Sequence, residues 1–115
     1  MSEANFASSH QRRQEVTGRT EFKFEIGHIA VSDRVLHMMQ DSEGFDDFVW
    51  ESFARHFICD WGDLPSDEKE LNDENLEAGG QLFSQYKHSE YGELGILTEE
   101  DRSKTVVGFA DEWIV

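Results

Sequence analysis

A run of aromatic residues at helical spacing is the strongest constraint on how this chain folds. Its large apolar members are Phe45, Phe48, Val49, Phe53 and Phe57. The charged residues between them, on the opposite helical face, are Asp46, Asp47, Glu51 and Arg55. This periodicity predicts an amphipathic helix that ends before residue 60. Its aromatic stripe has to be covered by a second layer of structure.

Two further helices are predicted beside it. Ser32 is a suitable N-cap for a short helix that carries Val35 and Met39, and Gly44 separates that helix from the aromatic one. A third helix over Ser66–Ala78 follows Pro65 and is terminated by glycines at 79 and 80. Because this third helix has few large apolar residues, we expect it to be mostly exposed and acidic.

The remaining segments indicate strands. Alternation over Phe22–Ile26 predicts a strand that ends at Gly27, and three more are predicted at Gln81–His88, Glu93–Thr98 and Thr105–Ile114. The fold class is therefore α+β. We expect an antiparallel sheet, made of the N-terminal strand and a C-terminal three-strand meander, with two or three helices on one face. Residues 1–20 are predicted to be a flexible leader, and residues 21–115 a single domain.

Acidity is concentrated in the C-terminal two-thirds of the chain. The formal net charge is −15. Residues 1–40 hold five acids and five bases, whereas residues 41–115 hold twenty acids and five bases and so carry the whole −15. Thirteen of these acids lie between residues 41 and 77, against Arg55 and Lys69. This balance disfavours direct binding to nucleic acid or to an anionic membrane, because both recruit Lys and Arg.

Other features of the sequence concern its cellular compartment. The single cysteine, Cys59, cannot form an internal disulfide. The first residues lack the apolar stretch of a signal peptide, and no apolar run approaches the roughly 20 residues that span a bilayer. We therefore expect a cytoplasmic protein with no membrane partner.

Motifs for catalysis or metal binding are weak. One cluster, His56, Cys59, Asp60 and Asp63, lies within eight residues. No second His/Cys pair completes a zinc site, and His56 falls on the apolar face of its helix. The sequence also lacks a calcium-binding loop, a phosphate-binding glycine loop, a nucleophile elbow and a His-Glu-x-x-His motif. We therefore predict no metal, no cofactor and no enzymatic activity.

Two polar clusters are open to two interpretations. The segment Asp60-Trp61-Gly62-Asp63 places two carboxylates around an aromatic ring at a helix end, and Asp101-Arg102 falls in a predicted hairpin turn. In the structural interpretation Trp61 packs and an aspartate caps the following helix. In the functional interpretation the two clusters form a shared binding edge.

Several sequence blocks carry a resemblance to a known family. They are the run His-Phe-Ile-Cys-Asp-Trp-Gly-Asp-Leu over 56–64, then Asn72, then 80–86, and then 96–105. Together they resemble a family of small bacterial and phage proteins, usually labelled plasmid-related proteins or, loosely, type I restriction subunits. The resemblance spans about Phe22 to the C-terminus and departs at Gln81, where the family usually has arginine. The motif residues are His56, Trp61, Gly62, Asp101 and Arg102. The resemblance implies that the protein is encoded on a mobile genetic element. The family has no settled activity that the resemblance could imply for this chain.

Acidity and this implied origin favour an inhibitor of host defence. The hypothesis is an anti-restriction or anti-CRISPR-like DNA mimic that binds the basic, nucleic-acid-binding surface of a host protein. The candidate acidic face comprises Asp46, Asp47, Glu51, Asp60, Asp63, Asp67, Glu68, Glu70, Asp73, Glu74 and Glu77. Spread evenly, the net charge would be about fourfold sparser than on duplex DNA, so mimicry requires the acids to gather on about a third of the surface.

Three other interpretations remain open. One is an ordinary solvated acidic face with no partner. Another is a small-molecule or peptide-binding module that uses Trp61 and the Asp101-Arg102 edge. The last is an enzyme of uncharacterised activity.

Overall fold

The computed structural model describes residues 22–113, so the predicted leader over residues 1–20 lies outside the described residues. The fold is α+β, as predicted, with helices and a four-stranded sheet. In chain order the elements are β1 (His28–Val31), α1 (Asp33–Asp41), α2 (Glu43–Phe57), α3 (Ser66–Ala78), β2 (Leu82–His88), β3 (Gly92–Thr98) and β4 (Lys104–Phe109), followed by a 3-10 turn (Ala110–Trp113).

The sheet is mixed rather than antiparallel. Its strand order is β1-β4-β3-β2, and the meander of β2, β3 and β4 is antiparallel as predicted. β1, however, pairs in parallel with β4, with His28 opposite Lys104 and Val31 opposite Val107. Short turns force neighbouring strands to be antiparallel, whereas the long helical connection between β1 and β2 removes that constraint. The prediction of a fully antiparallel sheet is therefore wrong at β1.

The N-terminal strand begins after Gly27 instead of ending there. Residues 22–26 are irregular and pack against the end of α2: the Lys23 N–H bonds to the Phe57 carbonyl at 2.9 Å, and the Phe22 ring lies 5.0 Å from that of Phe57. Gly27 has a φ of +60° and lies against the backbone of Ser103. Alternating burial in this segment comes from packing on a helix, which sequence periodicity does not distinguish from a strand.

Helix boundaries follow their caps. Ser32 caps α1, as predicted, by accepting from the Val35 N–H at 3.2 Å. Ser42, rather than Gly44, separates α1 from α2, because its Oγ accepts from the Phe45 N–H at 3.1 Å. Gly44 lies inside the first turn of α2.

The C-terminal boundaries are partly as predicted. α3 follows Pro65 and ends at Gly79, whose φ of +93° suits glycine. β4 ends at Phe109, short of the predicted end at Ile114, because the chain enters the 3-10 turn. The Glu112 carboxylate stabilises this turn by accepting from the Phe109 N–H at 2.7 Å and from the Ser32 Oγ at 2.8 Å.

The aromatic stripe of α2 forms the core. Phe45, Phe53 and Phe57 are at most 1% exposed. Their cluster includes residues on one face of the sheet, namely Tyr86, Leu94, Ile96 and Val107. α2 therefore covers that face, as predicted.

α3 lies beside the outer edge of β2. Asn72 on α3 binds both backbone groups of Phe83, donating to its carbonyl at 2.7 Å and accepting from its N–H at 3.0 Å. The loop between α2 and α3 binds Gln85, whose N–H donates to the Trp61 carbonyl at 3.3 Å and whose carbonyl accepts from the Asp63 N–H at 2.7 Å. An open strand edge is a template for pairing with other chains, so these contacts both protect β2 and fix α3.

Replacement of Asn72 tests this edge. We expect Asn72→Ala to lower the free energy of unfolding by about 2 kcal/mol, because it leaves a partly buried backbone N–H and carbonyl of Phe83 without their partner. Asn75→Ala is the matched control, since it changes the same residue type on the same helix but removes a single, exposed bond to the Gln81 carbonyl. Urea denaturation measures both. Equal losses in the two variants would contradict a special role for Asn72.

Candidate functional site

The segment Asp60-Trp61-Gly62-Asp63 is held by internal bonds. Trp61 is only 4% exposed, and its indole Nε1 donates to Asp73 Oδ1 at 3.0 Å. Asp63 Oδ2 accepts from the Lys87 N–H at 2.8 Å. Gly62 has a φ of +77°, and a Cβ there would overlap the Gln85 carbonyl oxygen. The aromatic ring predicted for a binding edge is thus buried.

Asp60 is paired with a base on α2. Arg55 Nε donates to Asp60 Oδ2 at 2.7 Å and its Nη2 to Oδ1 at 3.2 Å, a two-point contact that lowers the pKa of Asp60. The guanidinium also lies 4.8 Å from the centre of the Tyr86 ring. Tyr86 in turn donates from its hydroxyl to the Asp60 carbonyl at 2.6 Å. The charge of Asp60 is therefore balanced within the fold.

α2 ends at Phe57, and the left-handed residue just beyond it is Cys59 rather than a glycine. Cys59 has a φ of +68°, its N–H bonds to the His56 carbonyl at 3.1 Å, and the Asp60 N–H bonds to the Arg55 carbonyl at 2.8 Å. These two bonds form a Schellman motif, in which the left-handed residue is usually glycine. Burial raises the pKa of the Cys59 thiol, so the unreactive thiol form is favoured.

His56 is the centre of a buried chain of hydrogen bonds. Its Nδ1 lies 2.5 Å from Ser84 Oγ and its Nε2 2.9 Å from Thr98 Oγ1. Thr98 Oγ1 lies 2.8 Å from Thr105 Oγ1, which donates to the Ile26 carbonyl at 2.9 Å. This polar chain, from Ser84 to Ile26, joins α2 to three strands. Burial, and secondarily the positive charge of Arg102, lowers the pKa of His56 to about 3, so the imidazole is neutral.

The pairing of His56 with Ser84 differs from an accessible catalytic pair. Both side chains are fully buried, and the next partner of the imidazole is a threonine hydroxyl rather than a carboxylate. Both ring nitrogens are also hydrogen-bonded to hydroxyl groups, so neither is free to bind a metal ion together with Cys59. Within residues 22–113, no group of three or more His, Cys, Asp or Glu side chains is arranged to hold a metal ion.

Arg102 closes the end of α3. Its Nη1 donates to the Gly80 carbonyl at 2.7 Å and its Nη2 to the Asn75 carbonyl at 3.2 Å. A cation here complements the negative end of the helix dipole. Arg102 has a φ of +62°, and the preceding Asp101 accepts from the Ser103 N–H at 3.0 Å and from its hydroxyl at 2.6 Å, which lowers the pKa of Asp101.

The acidic residues gather most regularly on α3. Asp67, Glu70, Glu74 and Glu77 are all exposed and recur at intervals of three and four residues, so they form one outward row that we call the α3 stripe. Asn72 on the same helix faces the sheet. None of the four stripe side chains forms a hydrogen bond or an ion pair with another residue of the described chain.

The other acidic candidates are divided. Asp60, Asp63 and Asp73 have the bonding partners described above. Asp46 and Asp47 also interact with other groups, whereas Glu51 and Glu68 are exposed. Glu51 and Glu68 also lack a side-chain partner among the described residues, but they lie off this row. The α3 stripe is therefore the part of the predicted face in which exposed, unengaged carboxylates are aligned.

Comparison with known proteins adds no assignment. No protein-family model, curated protein or solved structure matches this chain. In the part of the chain that the structure describes, no helix is long and apolar enough to cross a membrane. The resemblance to plasmid-related proteins therefore stays a prediction.

Sequence reasoning named Asn72 and the block 96–105 only for the family resemblance and assigned no structural role to Asn72, Thr98 or Thr105. These three residues supply bonds that hold α3 and His56, yet each is a common residue type. A usable signal existed for Asn72: on a helix with an acidic outer face, it is a polar residue on the inward side. The threonines alternate within strands and give no comparable signal.

Gly62 offers a test of the contact between β2 and the loop that joins α2 to α3. We expect Gly62→Ala to destabilise the fold by about 3 kcal/mol or more, because it adds a steric overlap to an unfavourable positive φ. Gly79→Ala is the matched control, since Gly79 also has a positive φ but nothing lies within 4 Å of an added Cβ. The control should cost about 1 kcal/mol. Thermal denaturation that shows equal losses would contradict the close approach of Gly62 to β2.

His56 predicts a specific pH dependence. Its folded pKa lies below the unfolded one, so unfolding takes up a proton and stability falls as the pH drops below about 6.5. Between about pH 7.5 and pH 5, this one group should account for a loss of about 2 kcal/mol. Urea denaturation at both pH values should show that His56→Gln lacks this component, whereas His37→Gln on the exposed side of α1 retains it. The same loss in His56→Gln as in the unmodified protein would contradict a neutral, buried imidazole.

Proposed function

We propose that this protein is an inhibitory binding protein whose α3 stripe engages a basic, nucleic-acid-binding surface of a host defence or DNA-processing protein. The observation that carries the proposal is the row of exposed, unengaged carboxylates on one helix. A mobile genetic element as its origin and action as a DNA mimic are part of this proposal.

The spacing of the stripe supports nucleic-acid mimicry. From Asp67 to Glu77 the helix rises about 15 Å, at 1.5 Å per residue. One strand of duplex DNA carries a phosphate every 3.4 Å, so it presents about five charges over that length. The four carboxylates of the stripe approach this linear density, although the net charge averaged over the whole surface does not.

The stripe also weakens the helix that carries it. Like charges three or four residues apart cost roughly 0.2–0.5 kcal/mol each, so the three successive pairs cost about 1 kcal/mol. Glu74 and Glu77 lie near the C-terminal end, where the helix dipole disfavours negative charge. Solubility alone does not require acids at these positions, and this favours a binding role.

The helix is held in place before any partner arrives. Asn72 fixes its middle to β2, Asp73 bonds to the buried Trp61, and Arg102 closes its C-terminal end. A rigid charged row loses little conformational entropy on binding. The alternative of a ligand-binding edge at Trp61 and Asp101-Arg102 is less favoured, because Trp61 is buried and the Arg102 guanidinium is engaged by backbone carbonyls.

Neutralisation of the stripe tests the proposal. The variant carries Asp67→Asn, Glu70→Gln, Glu74→Gln and Glu77→Gln. We expect its free energy of unfolding to rise by about 1 kcal/mol, because the repulsion is removed. We also expect it to lose the capture of nucleic-acid-binding proteins from a nuclease-treated bacterial lysate. For the unmodified protein, that capture should fall between about 50 and 500 mM salt and on addition of duplex DNA.

A matched control separates position from net charge. Glu43→Gln, Glu90→Gln, Glu99→Gln and Glu100→Gln change the charge by the same amount at exposed sites outside α3. This control should retain capture. Equal loss in both variants, or capture that is insensitive to salt, would contradict the assignment of binding to α3.

A further inference from the structure

An open cavity of about 380 Å³ lies where β3 begins and β4 ends. Its lining comes from α1, the turn before β3, the start of β3, the end of β4 and the 3-10 turn. The chemically distinctive members are Arg34, Tyr91, Glu93, Phe109 and Asp111. None of the lining residues belongs to α3 or to the loop before it. The cavity is therefore separate from the α3 stripe.

The aromatic walls of the cavity are attached to the core. The Phe109 ring lies 5.6 Å from the buried Phe45 ring in a stacked arrangement, and the Tyr91 ring lies 5.6 Å from the same ring edge-on. Both walls are thus positioned by a residue that is 0% exposed. A ligand that entered would meet surfaces that are already ordered.

The charges of the lining favour a cation. The lining contains two carboxylates, Glu93 and Asp111, and one guanidinium, that of Arg34. The chain as a whole carries −15. The faces of Tyr91 and Phe109 also attract cations through their quadrupoles. An anion would have Arg34 as its single positive contact, and that contact is already paired with Asp111.

Arg34 displays the geometry that such a cation would adopt. Its Nη1 donates to Asp111 Oδ1 at 2.9 Å, and its Cζ lies 4.7 Å above the centre of the Phe109 ring. A planar guanidinium is thus already seated between a carboxylate and an aromatic face. Glu93 and Tyr91 offer a second carboxylate and a second ring in the same cavity.

We propose that this cavity binds a second guanidinium, the arginine side chain of a peptide or protein ligand. Its volume lies within the range of small-ligand sites, and its chemistry matches arginine better than lysine, because a planar fork can both stack and pair with a carboxylate. The inference does not depend on the α3 stripe.

The test uses Nα-acetyl-arginine amide as the probe, with the neutral isostere Nα-acetyl-citrulline amide and inorganic phosphate as comparisons. Titrations followed by backbone amide NMR should show saturable shifts at Gly92, Glu93 and Asp111 with the arginine derivative, and at least about tenfold weaker binding of citrulline. Equal binding of citrulline, or stronger binding of phosphate, would overturn the proposal.

Two variants locate the site. Glu93→Gln should weaken the binding of the arginine derivative about fivefold. Arg34→Met should strengthen its binding by a similar factor, because the substitution frees Asp111 and the Phe109 face for the probe. Loss of binding in Arg34→Met would show that Asp111 and the Phe109 face do not hold the probe, and it would overturn the proposal.

The fourfold α3 variant controls for long-range attraction. It lowers the negative charge without altering the cavity, so it should bind the arginine derivative as the unmodified protein does. Weakening as large as that of Glu93→Gln would show non-specific attraction and overturn the proposal. Binding of the arginine derivative does not involve the host target. A negative result in this titration therefore does not affect the α3 proposal, which the capture experiment tests separately.

Discussion

The outer edge of β2 needs polar partners, and much of the structure follows from how the chain supplies them. Asn72 bonds to the backbone N–H and carbonyl of Phe83, and the loop from Trp61 to Asp63 bonds to those of Gln85. These contacts need α3 to lie along the strand with Asn72 inward, which turns the intervening acids outward. The exposed acidic row is thus a geometric consequence of protecting a strand edge.

A second constraint lies inside the core. The polar chain from Ser84 through His56 and Thr98 to Thr105 replaces apolar packing at the point where α2 crosses the sheet. Such a chain contributes little net stability, but each member is costly to leave unsatisfied, so alternative registers of α2 on the strands are penalised. It also accounts for the position of His56 on an otherwise aromatic stripe.

The sequence was informative where local chemistry decides the structure. The aromatic spacing of α2, the Ser32 cap and the Pro65 and Gly79 boundaries predicted the helices, because each signal acts within a few residues. The parallel pairing of β1 was not predictable, since it depends on which edge of the sheet a distant segment reaches. The buried state of Trp61 and the capping role of Arg102 were left open for the same reason: their partners, Asp73 and the Gly80 carbonyl, are twelve and twenty-two residues away.

The three arginines of the described residues hold structural elements together and do not pair with the acids of the α3 stripe. Arg102 directs its guanidinium at backbone carbonyls and so neutralises no carboxylate. Arg55 pairs with Asp60 in the loop after α2, and Arg34 pairs with Asp111 in the 3-10 turn. Both guanidiniums also lie over aromatic rings. None of these three cations pairs with a stripe carboxylate of α3, and the helix itself contains one lysine among six acids. These three arginines therefore hold structural elements together, and the carboxylates on the outer face of α3 are left without a pairing arginine.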